Sequence, residues 1–471
     1  MHQESLYPGM SPLVQNHDVA DKPASHSKQV SAGRILLVIF LLAAGTEFIF
    51  RGPVRGIETS TTLNDFISPY VQAKAWVEGR DPYSPDTLIQ LWPASVGHFN
   101  FLAREKAEGV LTVRRGIPTA YPLNCLFLLS IFDLFPWPVA NLLWVSLNVA
   151  LFFCMLVCLV SLAKLPWRSW RTHLLLALSL AFAPFQTGIG TGNPAILSVE
   201  LAMIAMWAAQ RQHNVEAGAL LAIAISLKPQ LALPLLLCYV LQRRWRLCLV
   251  SIGLVASFLA ISVVRLGIAG TPWVQSYRTD SYILLKSGVL SDFTERNPLR
   301  FGLINAHVLF YALTENREVA GILSLLLGAA LFVCWLYFAW RRKSVADVLA
   351  AGTLLTISLL PAYHRFYDAA VLILPLWWAV TAVTSQANKR IAIGVLTCLV
   401  PFFVPGGSFL ETMLAQNRIP GNVIHTLWWN VIVMPHQIWA LVVMSALLLG
   451  AMGSTPEEHL RSPHSEQHAA I

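Results

Sequence analysis

Long apolar runs separated by short polar breaks set the plan of this chain. The runs fall at about 34–50, 139–162, 172–186, 194–210, 215–228, 230–242, 247–266, 320–340, 345–361, 368–385, 391–406 and 430–450. Each predicts a membrane-crossing helix, since a bilayer core asks for roughly twenty apolar residues. Two further runs, 121–135 and 301–313, are shorter, and both a tilted span and a re-entrant piece stay open for them. The pattern predicts an all-α polytopic membrane protein with about 11–13 transmembrane helices. The segment 63–83 differs from these runs. Phe66, Tyr70, Ala73 and Val77 recur at helical spacing, and Asp65, Gln72 and Trp76 share a neighbouring face. That predicts an amphipathic helix along the membrane surface, stopped by Gly79 and the turn Asp81-Pro82-Tyr83.

Composition supports the membrane reading: 56% of the 471 residues are hydrophobic and 12% are charged, which excludes a soluble domain. The net charge of +8 would suggest nucleic acid in a soluble chain. Here the basic residues sit in short breaks between apolar runs, where orientation in the bilayer explains them, and no nucleic-acid partner is expected. If both short runs stay outside, Lys164, Arg168, Arg171, Arg211, Arg243, Arg244, Arg246, Arg341, Arg342, Lys343, Lys389 and Arg390 all face the cytoplasm together with both termini. The organisation expected is a disordered tail over 1–30, one transmembrane domain over 31–452 and a second tail over 453–471. Within the domain, 51–120 is a large first outer loop carrying interfacial helices, and 267–300 is a second long outer loop. The seven cysteines form no CxxC pair, so neither a disulfide framework nor a metal site is expected, and no cofactor is implied.

This orientation puts several polar features on one side with Asp65: the run Gly188-Ile189-Gly190-Thr191-Gly192-Asn193, the pair Lys228-Pro229, the loop 267–300, and Tyr363-His364-Arg365-Phe366-Tyr367-Asp368. Asp65 has two readings, a catalytic carboxylate and a helix N-cap. Lys228 interrupts an apolar run, where a charge costs about 2.5–3.5 kcal/mol; it faces a polar cavity or an anion, or else snorkels to the interface. The glycines before Asn193 make either a plain turn or a place where backbone approaches a ligand closely. His364 and Arg365 can bind phosphate oxygens, and Asp368, four residues on, can hold the His364 ring. Arg114, Arg115, Tyr121, Asp81 and Tyr83 complete the expected substrate-binding set. The intramembrane acids Glu47, Asp133 and Glu200 show no partner in the sequence.

Asn64-Asp65-Phe66, Gly79-Arg80-Asp81-Pro82-Tyr83, Tyr121-Pro122, Leu143-Trp144 with Asn148, Gly190-x-x-Asn193, Ser226-Leu227-Lys228-Pro229 and 361–367 together resemble glycosyltransferase family 87. One departure is Thr191-Gly192 before Asn193, where a glutamine is frequent just after the glycine in the family. The resemblance implies a GT-C fold and transfer of a sugar, typically mannose, from a polyprenyl-phosphate carrier, with Asp65 as the catalytic acid of the first outer loop. The expected reaction is an inverting transfer to a lipid or glycan acceptor outside the plasma membrane. Asp65 would take the acceptor proton, and cations would stabilise the leaving phosphate without a metal. The competing reading is a transporter or flippase of lipid-linked sugar, which predicts internal repeats; no clear repeat is visible.

Overall fold

The computed structural model describes residues 24–58, 64–96, 121–284, 291–297, 300–341, 348–383, 388–404 and 406–454. Among them the chain is helical, and the only β-pairing is an isolated antiparallel bridge between Leu303 and Arg365. Helix α1 (Ala24–Ile49) starts before the tail boundary expected at residue 31. It runs into a wider turn at Phe50–Val54, where Pro53 supplies no backbone N–H to the ladder. There follow α2 (Ile67–Val77), α3 (Pro85–Leu91), α4 (Leu123–Leu129) with a 3₁₀ turn to Leu134, α5 (Trp137–Leu162), α6 (Trp170–Ala181), α7 (Ala183–Thr191) and α8 (Pro194–Gln210). Next come α9 (Asn214–Leu227), α10 (Pro229–Leu241), α11 (Trp245–Ile268), α12 (Trp273–Leu284), α13 (Ala306–Thr314), α14 (Arg317–Arg341) and α15 (Val348–Ser358). A 3₁₀ segment Phe366–Leu372 then leads into α16 (Ile373–Ala382), followed by α17 (Lys389–Leu399), α18 (Gly406–Ala415) and α19 (His436–Ser454).

Each apolar run of the sequence becomes a helix, but the helices differ in reach. Among the described residues five are long and apolar enough to cross a membrane: Ala32–Ile57, Trp137–Leu162, Trp245–Ile268, Arg317–Arg341 and His436–Ser454. Counting α6 and α7, which bend by 45° at Phe182, as one span makes six. The other apolar helices of the inner bundle have 10–17 residues. At about 1.5 Å per residue, a helix such as α9 with 14 residues is about 21 Å long, short of a hydrocarbon core of about 30 Å. The expected 11–13 apolar helices are thus a mixture of full spans and shorter, broken elements. The short runs at 121–135 and 301–313 give α4 and α13, neither of them long enough to span.

The helix after Asp65 does not lie along a surface. In α2, Ile67, Ser68, Pro69, Tyr70, Val71, Gln72, Ala73, Ala75 and Trp76 are all buried. It packs against α4 and the 3₁₀ turn that follows it, and the Trp76 indole donates to the Ser262 carbonyl of α11 at 3.1 Å. The periodicity was real, but both faces are covered by protein, so the amphipathic expectation fails. Two intramembrane acids also find partners: Glu47 pairs with Arg51 one turn on at 2.5 Å, and Asp133 lies 3.7 Å from Lys74. Glu200 is fully buried, and neither of its carboxylate oxygens has a hydrogen-bond partner among the described residues.

Candidate functional site

The approach to Asp65 is fixed from both sides. Asn64 accepts the Phe66 N–H at 2.9 Å, closing the turn into α2. Its side-chain amide donates to Asn141 of α5 at 2.9 Å, and Asn141 in turn donates to the Gly56 carbonyl at 2.9 Å. The Phe66 ring lies parallel to Trp144, with centroids 4.3 Å apart and 2° between planes. The N-cap position is Phe66, with no side-chain cap, so the helix-cap reading of Asp65 is corrected: among the described residues its carboxylate bonds to Asn193 and not to the start of α2.

Asp65 faces the α7–α8 junction instead. Its backbone N–H donates to Thr191 at 2.6 Å, and its carboxylate accepts from the Asn193 amide at 2.8 Å. Asn193 also caps α8 by accepting the Ala195 N–H at 2.9 Å, and Pro194 occupies the first helical turn, where its missing N–H costs nothing. Gly192 ends α7 at φ +68°, a left-handed conformation that glycine adopts without strain, and its carbonyl accepts the Trp144 indole N–H at 2.9 Å. A side chain on Gly190 would run into the Arg51 carbonyl. Gly188 and Gly190 lie within α7, where the lack of a side chain lets Ile196 and the Arg51 carbonyl come close, and Gly192 makes the turn that positions Asn193.

The cationic side of the site comes from two breaks. Between α9 and α10, Lys228 adopts an extended backbone, and its ammonium donates to Asp368 at 2.6 Å and sits 4.8 Å from the centre of the Tyr367 ring. The anion facing Lys228 is therefore a carboxylate of the protein, 140 residues away in sequence. At the second break, Asp368 also accepts the Arg365 N–H at 3.0 Å and the His364 Nδ1–H at 3.2 Å. His364 is fully buried, and its Nε2 has no partner among the described residues. This turn is clamped from outside, as Ile304 N–H donates to the His364 carbonyl at 3.0 Å and Ala306 N–H to the Leu360 carbonyl at 2.9 Å. The Arg365 guanidinium is hydrogen-bonded to Tyr367 and interacts electrostatically with Asp65.

Burial pushes the Asp65 carboxyl above the ordinary carboxylate range. The Asn193 hydrogen bond and the charges of Arg365 and Lys228 pull it back only in part. The Tyr121 phenol is pushed well up, first by burial and then by the Asp65 charge. Asp65, Asn193, Lys228, His364, Arg365 and Tyr121 are thus assembled in one place.

Two other expected residues are held by the protein beside Tyr121. Asp81 accepts from Tyr83 N–H at 2.9 Å and from the Ser276 hydroxyl at 2.6 Å, and the buried Tyr83 donates to the Tyr121 carbonyl at 2.8 Å and packs edge-on against Tyr277. Both tie the Gly79 turn to α12, so their polar groups are engaged by the protein. Arg114 and Arg115 lie outside the described residues. Sequence reasoning gave Tyr367 no role beyond its place in the 363–368 segment, and missed Asn141, and Lys228 as a second partner of Asp368. The signal for the last was partly available: a lysine in an apolar run calls for an anion. Among the described residues no group of His, Cys, Asp and Glu side chains could hold a metal ion.

Compared with known protein families, the chain matches glycosyltransferase family 87 over residues 119–362. The matched stretch carries Tyr121, Asn193 and Lys228; Asp65 and 364–368 lie outside it. No curated protein and no solved structure gave a match.

Proposed function

From the premise that this chain belongs to glycosyltransferase family 87 and is a membrane glycosyltransferase, we propose that it moves a hexose, with mannose as the expected sugar, from a polyprenyl-phosphate carrier to a lipid or glycan acceptor. The reaction proceeds at the outer face of the plasma membrane, with both termini cytoplasmic, in a GT-C type architecture. The observation that carries the reading is the juxtaposition of a half-buried, Asn193-bound Asp65 carboxylate with the turn 364–368, whose Arg365 charge acts on it.

Asp65 accepts the proton of the acceptor hydroxyl as that oxygen attacks the anomeric carbon. The bond from the sugar to the phosphate oxygen breaks on the opposite face, and its electron pair stays on the phosphate. The anomeric configuration inverts, and the carrier gains one negative charge as a diester becomes a monoester. A carboxylate whose proton affinity is raised is the better base, and Arg365 with His364 meets the growing phosphate charge. α9 and α10 are each too short to span, and on this reading the polyprenyl chain lies against the apolar helices while its phosphate reaches the polar turn.

The test is transfer from radiolabelled polyprenyl-phosphate-mannose into a membrane lipid extract by purified protein. A labelled product with the anomeric configuration opposite to the donor's is expected. Retention of configuration, or passage of the donor across a proteoliposome membrane with no product, contradicts the reading.

A further inference from the structure

Asp368 is fully buried, and both of its oxygens are occupied, one by the Lys228 ammonium at 2.6 Å and the other by the Arg365 N–H and the His364 ring. Its three partners come from both breaks that make the site. Lys228 is itself 8% exposed and lies over the Tyr367 ring, so its charge is spent inside the protein. Arg365 is only half-buried and, among the described residues, forms no ion pair. A buried ammonium beside a buried carboxylate makes a neutral unit; losing either member leaves the other unpaired in an apolar setting.

We propose that Asp368 is the positioning residue of this site. It withdraws Lys228 from substrate binding into a neutral strut that joins the 228 break to the 364–368 turn. It also fixes the His364 ring with Nδ1–H turned inward and Nε2 free, and leaves Arg365 as the cation that meets the donor phosphate. The role in catalysis rests on the polyprenyl-phosphate reading above; the strut does not.

The experiment uses the full chain in detergent with Lys228→Met, Asp368→Leu, the double variant and Arg365→Gln. Unfolding temperature and transfer from polyprenyl-phosphate-mannose are measured for each. Each single substitution of the pair lowers the unfolding temperature, and the double variant recovers most of the loss, because similar apolar volume replaces the pair. In the double variant the donor KM stays near the wild-type value and kcat falls about tenfold to a hundredfold as His364 loses its holder, whereas Arg365→Gln raises the donor KM. Additive stability losses overturn the strut. A donor KM raised in the double variant as much as in Arg365→Gln overturns the division of labour by making Lys228 a direct ligand. A wild-type protein that transfers nothing from this donor defeats the polyprenyl-phosphate reading and the catalytic role with it, while the stability comparison still decides the strut.

Discussion

Asn193 donates its side-chain amide to Asp65 at 2.8 Å while its side-chain oxygen caps helix α8 at 2.9 Å. One residue thus starts a helix and holds the proposed base, and the two roles are separable. Asn193→Ser keeps a good cap but loses the amide donor. The base must be deprotonated, so kcat/KM falls as pH drops through the Asp65 pKa, which burial already sets above the ordinary carboxylate range. Because the Asn193 hydrogen bond lowers that pKa, Asn193→Ser moves the acid limb of the pH profile to higher pH with little change in unfolding temperature. An acid limb that stays in place separates Asn193 from the base.

Gly192 is the conformational keystone of the same turn. An added Cβ would meet Asn64 Oδ1 at 2.9 Å and Phe66 at 3.1 Å, at a φ of +68°. Gly192→Ala is expected to cost about 1–3 kcal/mol and to lower transfer through displacement of Asp65. Gly253 in α11 has nothing within 4 Å of an added Cβ, so Gly253→Ala stabilises by about 0.5–1 kcal/mol. Thermal unfolding of the two variants in parallel checks the contrast.

The proposed orientation predicts opposite labelling at two exposed positions. In a background lacking native cysteines, a membrane-impermeant maleimide added from outside marks Tyr363→Cys, beside the site, and spares Arg246→Cys at the start of α11. The reverse pattern inverts the orientation and moves the site to the cytoplasmic face.

The apolar runs were legible because their residues answer to lipid and to close neighbours. The run expected at 194–210 is α8 (Pro194–Gln210), and the break at Lys228 falls between α9 and α10, since a charged residue followed by proline ends a helix on local grounds. Long-range partners were not legible. The stripe on α2 suggested a water-facing side, yet Trp76 is satisfied by Ser262, 186 residues away. Asp133 likewise meets Lys74 from a separate segment, although the Glu47–Arg51 pair, one helical turn apart, could have been read directly. In the site, the residue types were readable and so was the His364–Asp368 pair, four residues apart, but the Lys228–Asp368 pair was not. Lys228 and His364 each announced a polar environment; that they share one carboxylate depends on how two breaks meet in space.

The central claim is that Asp65 is the base of a glycosyl transfer, and Asp65→Asn tests it most directly because shape is kept and the proton acceptor is removed. Stability serves as the control. Since the folded pKa of Asp65 lies above its unfolded value, the folded state binds more protons between the two. Stability therefore falls as pH rises through that window, and above it the charge is a cost. Asp65→Asn at neutral pH should accordingly unfold no earlier than wild type. Transfer from radiolabelled polyprenyl-phosphate-mannose should drop about 10²- to 10⁴-fold in this folded variant with donor binding retained. Equal transfer by wild type and Asp65→Asn contradicts the account and assigns the proton to another group.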